Sequence, residues 1–137
     1  MSLSPRIGLI FNGNCEAAFE FYRQHMSGKI EFMLRWGESP MAKDSPPQWK
    51  DKILHARIVI GDTELLGGDV LPESYEAPQG FSILVGLDDI AETERLFHAL
   101  AESGSVRMAL QETFWARRFG SVVDQFGIPW TFNFESS

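Results

Sequence analysis

The chain has 137 residues, 44% hydrophobic and 23% charged, the size and composition of one ordinary globular domain that buries its own core. Its formal charge of -7, with no basic run longer than Arg117-Arg118, works against nucleic acid or an anionic membrane as a partner, because both require a basic patch that displaces counterions. No apolar stretch approaches the roughly 20 residues that cross a bilayer, the apolar run at the N-terminus is too short for a secretory signal, and a single cysteine makes no internal disulfide, so a cytosolic protein is expected.

In chain order, Gly8 to Phe11 is apolar and NGN at 12–14 interrupts it, with Asn14 placed to cap a helix. Cys15, Ala18, Phe19, Tyr22 and Met26 then recur at the spacing of one buried helical stripe, and Gly28 is the expected stop. Cys15 has two readings, a reactive thiol or a small apolar residue on that stripe, and the second is the expectation. KIEFMLRW (29–36) alternates as a strand, GESPMAKDSPPQWKD (37–51) is a proline-interrupted loop, and ILHARIVIG with TELLGGD form a hairpin joined at Gly61-Asp62.

FSILVGL (81–87) opens a second series. Asp89 with Glu92 three positions on predicts a capping box, and Ile90, Thr93, Phe97, Leu100 and Ala101 form another stripe that ends at Gly104. SVRMALQ is a strand, and RFGSVVD and PWTFNF form a hairpin through QFGI, where Asp124 orders the turn. The order strand, helix, strand, strand, strand thus occurs twice. A shift of 75 lays Leu96-Phe97 over Phe21-Tyr22 and Ser82 over Ile7, and one insertion brings Gly104 onto Gly28. Within a single domain spanning 1–137, the expected modules are 1–68 and 81–137, with 69–80 as the linker. The fold class is α+β, and each sheet is left with a face that a partner module covers, within the chain or across chains.

The duplicated module, HARIVIGDTELLGGD at 55–69 and QETFWARRFGSVVDQFGIPW at 111–130 resemble the PhnB-like branch of the vicinal oxygen chelate superfamily, which includes glyoxalase I, extradiol dioxygenases and bleomycin-resistance proteins. The resemblance covers nearly the whole chain. It implies two βαβββ modules with mixed curved sheets enclosing a ligand cavity, and a homodimer. Some relatives carry a ubiquinone methyltransferase label, but no Gly-rich loop between a strand and a helix is present here to hold a nucleotide-like cofactor.

Metal-dependent members place ligands near the start of the first strand and on the last strand of each module. Those positions fall here at Ile7 and Ser82, and at Leu65, give or take one residue, and Thr131. None is a good donor for a divalent cation. His55 with Glu64 or Glu112 is an unorthodox alternative, and Asp69 is a further nearby donor.

His55 shares a strand face with Arg57 and Val59, where it is either a general base or a histidine that hydrogen-bonds a neighbour. His25 and His98 are expected at the surface. Phe114, Trp115, Phe119 and Trp130, beside Glu112, Arg117 and Arg118, mix flat apolar area with charge, as a pocket for an aromatic or anionic molecule would, or as a core and dimer seam would. The candidate catalytic pair is His55 and Glu112, and the candidate ligand contacts are Trp115, Arg118, Trp130, Thr131 and Ser82. Trp36 and Trp49 receive no role, and the loop from 37 to 52 is a lid or a plain connection.

The leading expectation is a small-molecule-binding homodimer with no cofactor, whose ligand is partly apolar or anionic. The alternatives are a divalent-metal lyase, isomerase or dioxygenase of the glyoxalase type, and an interaction protein with a vestigial cavity.

Overall fold

The computed structural model describes residues 2–135. It divides into two compact units, one ending at Glu76 and the other beginning at Ala77. The first contains β1 (Ile7–Phe11), α1 (Cys15–Met26), β2 (Lys29–Arg35), β3 (Ile53–Ile60) and β4 (Thr63–Asp69). The second contains β5 (Ile83–Gly86), α2 (Ile90–Glu102), β6 (Ser105–Gln111), β7 (Arg118–Val123) and β8 (Pro129–Phe134). Sheet orders are β1-β4-β3-β2 and β5-β8-β7-β6. In each, the first strand runs parallel to the last and the other pairings are antiparallel, so both units are βαβββ modules.

The repeat keeps register closely. The first residues of α1 and α2, Cys15 and Ile90, lie one repeat shift apart, and β2 and β6 superpose end to end once Gly28 is set on Gly104. Several boundaries move. Trp36 leaves β2 for a 3-10 turn, β5 spans only Ile83–Gly86, β7 ends at Val123, and Asp69 closes β4.

Alternation explains the core. Ala56, Ile58 and Leu65 are buried, as are Cys15, Ala18, Phe19 and Tyr22 from the α1 stripe. The Phe19 ring meets Phe11 edge-on with centroids 6.1 Å apart. It lies so close over β4 that a Cβ at Gly67 would fall 2.7 Å from its Cζ, so only glycine leaves room for the ring. In the second unit Phe97 of α2 packs edge-on against Phe132 of β8, 5.4 Å between centroids. Burying such a ring stabilises by roughly 2–3 kcal/mol.

The helix ends differ from expectation. Asn14 makes no capping bond, and its Oδ1 is buried without a partner. The cap comes instead from the far end of β4, where Asp69 Oδ1 accepts the amides of Gly13 and Cys15 at 2.9 and 3.0 Å. Ser27, at φ 54°, takes the left-handed position that ends α1, so Gly28 is not the stop. In α2 Asp89 caps locally by accepting Ala91 N–H at 2.9 Å, while Glu92 turns to Arg95, leaving the capping box half made.

The loop from 36 to 52 is three short 3-10 turns, and it is fastened down. Trp36 Nε1 donates to the Asp69 carbonyl at 3.0 Å, and Trp49 is buried beside Gly13. Those anchors make it a connection clamped onto the first unit. Among the described residues no helix is long and apolar enough to cross a membrane.

Candidate functional site

Each sheet has one face against its helix and one turned away, and the candidate residues divide between them. In the first unit His55, Arg57 and Val59 alternate with the buried Ala56 and Ile58 and so point away from α1. Arg57 crosses the ladder from Phe32, whose ring lies 5.0 Å from the guanidinium carbon. Glu31 and Glu64 flank it at 3.9 and 3.8 Å, and Arg6 lies 3.5 Å from Glu64. His55 is exposed and meets the Phe32 ring at 5.2 Å. Among the described residues that ring is its contact, with no hydrogen bond to a neighbour and no carboxylate to orient the imidazole as a general base requires. His25, expected at the surface, is half-buried against Phe21 with ring centroids 4.2 Å apart.

In the second unit Trp130 and Phe132 face α2, so Thr131 faces away. Ser121 and Leu84 sit opposite Thr131 on the neighbouring strands, and Phe119 follows Ser121 on the same face. The Ser82 and Thr131 hydroxyls are 2.7 Å apart. Trp115, 45% exposed, lies edge-on to Phe119 at 5.1 Å and to Phe114 at 4.7 Å. The result is an aromatic platform continuing into three hydroxyls on β7, on β8 and just before β5.

Two expected ligand contacts are elsewhere. Trp130 is 2% exposed, and its Nε1 donates to Asp124 Oδ2 at 2.8 Å, so it is a core residue. Asp124 Oδ1 accepts the Phe126 and Ile128 amides, which orders the β7–β8 turn as expected. Arg118 points to the helix side, where its Nε donates to Glu94 on α2 at 3.2 Å. Glu112 also lies on that side, at a cleft between α2 and β6, and it belongs to a different unit from His55. Cys15 is wholly buried, and desolvation, then the negative charges of Asp69 and Glu16, push its thiol well above the ordinary range. It is an inert stripe residue.

The positions expected to carry metal ligands pair within each unit. In the first, Ile7 sits opposite Leu65 in the parallel β1–β4 ladder, and Leu65 faces the helix. In the second, the Ser82 and Thr131 hydroxyls meet on the helix-distal face. Neither pair fits a divalent cation, which needs carboxylate or imidazole lone pairs in place of its water. Asp69, the other nearby donor, spends its carboxylate on three amides, the third being Ile53 N–H at 2.8 Å. Glu64 is engaged with Arg6 and Arg57. Among the described residues no three His, Cys, Asp or Glu side chains cluster as an ion site.

Comparison with known proteins agrees with the fold. Residues 5–132 match the family model described as 3-demethylubiquinone-9 3-methyltransferase. Protein YjdN of Escherichia coli K12 is 35% identical, over 97% of this chain and 95% of its own. The crystal structure of protein PA1353 from Pseudomonas aeruginosa is 50% identical, with a TM-score of 0.88 over 99% of this chain and 100% of that one. A glyoxylase/bleomycin resistance protein/dioxygenase domain from Frankia shares the fold alone, with 11% identity and a TM-score of 0.69 over 100% of this chain and 94% of that one. The chain therefore belongs to the family whose model is described as 3-demethylubiquinone-9 3-methyltransferase, and its duplicated βαβββ topology is the fold of the glyoxylase/bleomycin resistance protein/dioxygenase domain.

Proposed function

We propose that the protein, as a homodimer, binds a small and partly apolar molecule on the helix-distal face of the second sheet, with no metal at the positions metal-dependent relatives use. The carrying observation is the exposed Trp115–Phe119 edge-to-face pair, continued by the hydroxyls of Ser121, Thr131 and Ser82. Exposed aromatic area is costly to leave in water, and hydroxyls beside it fix the orientation of a ligand that carries a carbonyl or hydroxyl. The same face supports the homodimer, because a sheet with a helix on one side only leaves its other side for another module to cover.

Methyl transfer, named in the family model's description, is not part of the proposal. A nucleotide-like methyl donor would require open amides at a glycine-rich strand-to-helix turn. The amides at the start of α1 already donate to Asp69, and Ala91 in α2 donates to Asp89. Both helix N-termini hold carboxylates of their own.

The test is a thermal-shift screen of small aromatic carbonyl and hydroxyl compounds, with light scattering on the same sample. A saturable stabilisation that Trp115→Ala lowers by at least about tenfold in affinity is expected, consistent with the stacking energy of one aromatic anchor. The scattering mass should be twice that of the chain. Stabilisation untouched by Trp115→Ala, or a protein that stays monomeric while binding, would overturn the reading.

A further inference from the structure

The cleft between α2 and β6 lies on the opposite side of the second sheet from the face just described. Its volume is about 580 Å³. Along it β6 slips register against β7 twice, between Val106 and Met108 and again before Gln111. Each slip bends the edge strand relative to the helix. At Gly120 the backbones of β6 and β7 come so close that a Cβ would stand 2.9 Å from the Leu110 Cα, so the kinked strand is held to the sheet at that point.

Phe97 from α2 and Val106 and Leu110 from β6 give the cleft apolar walls, and its charges are Glu94, Glu112 and Arg118, with His98 and Gln111 adding hydrogen-bonding groups. Arg118 and Glu94 neutralise each other through the 3.2 Å bond. Glu112 has no ion-pair or hydrogen-bond partner among the described residues and stands exposed at the edge. The fixed charge left over is therefore one carboxylate beside apolar walls. An anion would have to displace Glu94 from Arg118 while facing Glu112, and the chain's charge of -7 opposes its approach.

We propose that this cleft is a binding site for an amphipathic organic cation, an alkyl- or arylammonium whose nitrogen pairs with Glu112 and whose hydrocarbon part lies against Phe97, Val106 and Leu110. An ammonium supplies donors that an unpaired carboxylate can accept, and a charge-assisted bond of this kind outweighs a neutral one. The volume is several times that of a phenylethyl chain, so the cleft admits such a group with room for a larger hydrocarbon part.

Calorimetry with 2-phenylethylammonium, 2-phenylethanol and 3-phenylpropionate separates charge from shape. The ammonium is expected to saturate one site per chain, with the alcohol and the carboxylate at least about tenfold weaker. Glu112→Gln should weaken the ammonium about tenfold and leave the melting temperature unchanged, since Glu112 holds no structural contact. Trp115→Ala, on the other face, should leave it unaltered. Absence of saturable binding, equal binding of the carboxylate, or loss of binding in Trp115→Ala but not in Glu112→Gln would each overturn the proposal. The same three probes fail or succeed independently of the sheet-face reading, because only that reading depends on Trp115.

Discussion

The two sheets share strand order and direction but turn different chemistry away from their helices. The first presents Arg6, Arg57, Glu31 and Glu64 around Phe32, a balanced ion cluster, and the second presents Phe119, Ser121, Thr131 and Leu84. Their helix sides differ far less, with Phe11, Phe19 and Ile58 in one and Phe97, Val122 and Phe132 in the other, all buried. Packing against a helix constrains volume and polarity closely, whereas the opposite face need only avoid disrupting the ladder. Two copies of one module can therefore keep a fold and diverge in recognition. The connections diverge too. Residues 36–52 fold down through Trp36 and Trp49, while the shorter 112–117 stretch leaves Phe114 97% exposed.

Each unit also has a buried aspartate that gathers several donors, from distant segments in the first unit and from its own turn in the second, and this is where the comparison is most easily broken. Asp69 joins α1, β3 and β4 through Gly13, Cys15 and Ile53, and Asp124 joins its own turn to Trp130. Asp69→Ala should cost about 4 kcal/mol in urea unfolding, because three donors lose a charged acceptor and two of those bonds are buried. Asp124→Ala should cost roughly 3 kcal/mol, since its bonds are mostly local to the β7–β8 turn. Equal losses would mean that the units are stapled alike despite their different wiring.

The helix caps sharpen the contrast at smaller scale. Asp89→Ala should destabilise by about 1 kcal/mol, while Asn14→Ala should change stability by less than about 0.5 kcal/mol, because α1 takes its cap from Asp69. A cost at Asn14 equal to that at Asp89 would refute the remote cap.

A comparably small effect is expected at Arg35, where the guanidinium grips both Glu16 oxygens and the Asp51 carbonyl. The hydrogen bond from Arg35 holds the Glu16 carboxyl below its usual range. A lowered folded value means the contribution is complete above the unfolded pKa and lost as pH falls through the folded one. Both side chains are partly exposed, so Glu16→Gln should cost only about 0.5 kcal/mol at neutral pH, and the difference should vanish in acid. A difference that persists below about pH 3 would exclude the ion pair as its source.

The repeat, both helical stripes and the hairpins were legible because period and spacing are local properties that burial enforces along an element. The candidate site was legible only in part. Trp115, Thr131 and Ser82 do lie on one face, but Trp130 and Arg118 lie on the other side of the same sheet. Neighbouring positions on a strand point oppositely, so a cluster in sequence such as Glu112 to Phe119 is divided in space once the strand is fixed.

By itself, then, the sequence determined two βαβββ modules and which stripes they bury, since hydrophobic periodicity encodes which side of an element meets its neighbour. Tertiary structure alone decided that Asp69 caps α1 from 54 residues away, that Arg118 meets Glu94 across 24, and that a cleft lies between α2 and β6. Those outcomes depend on contacts between segments remote in the chain, where no periodicity carries the partner's identity.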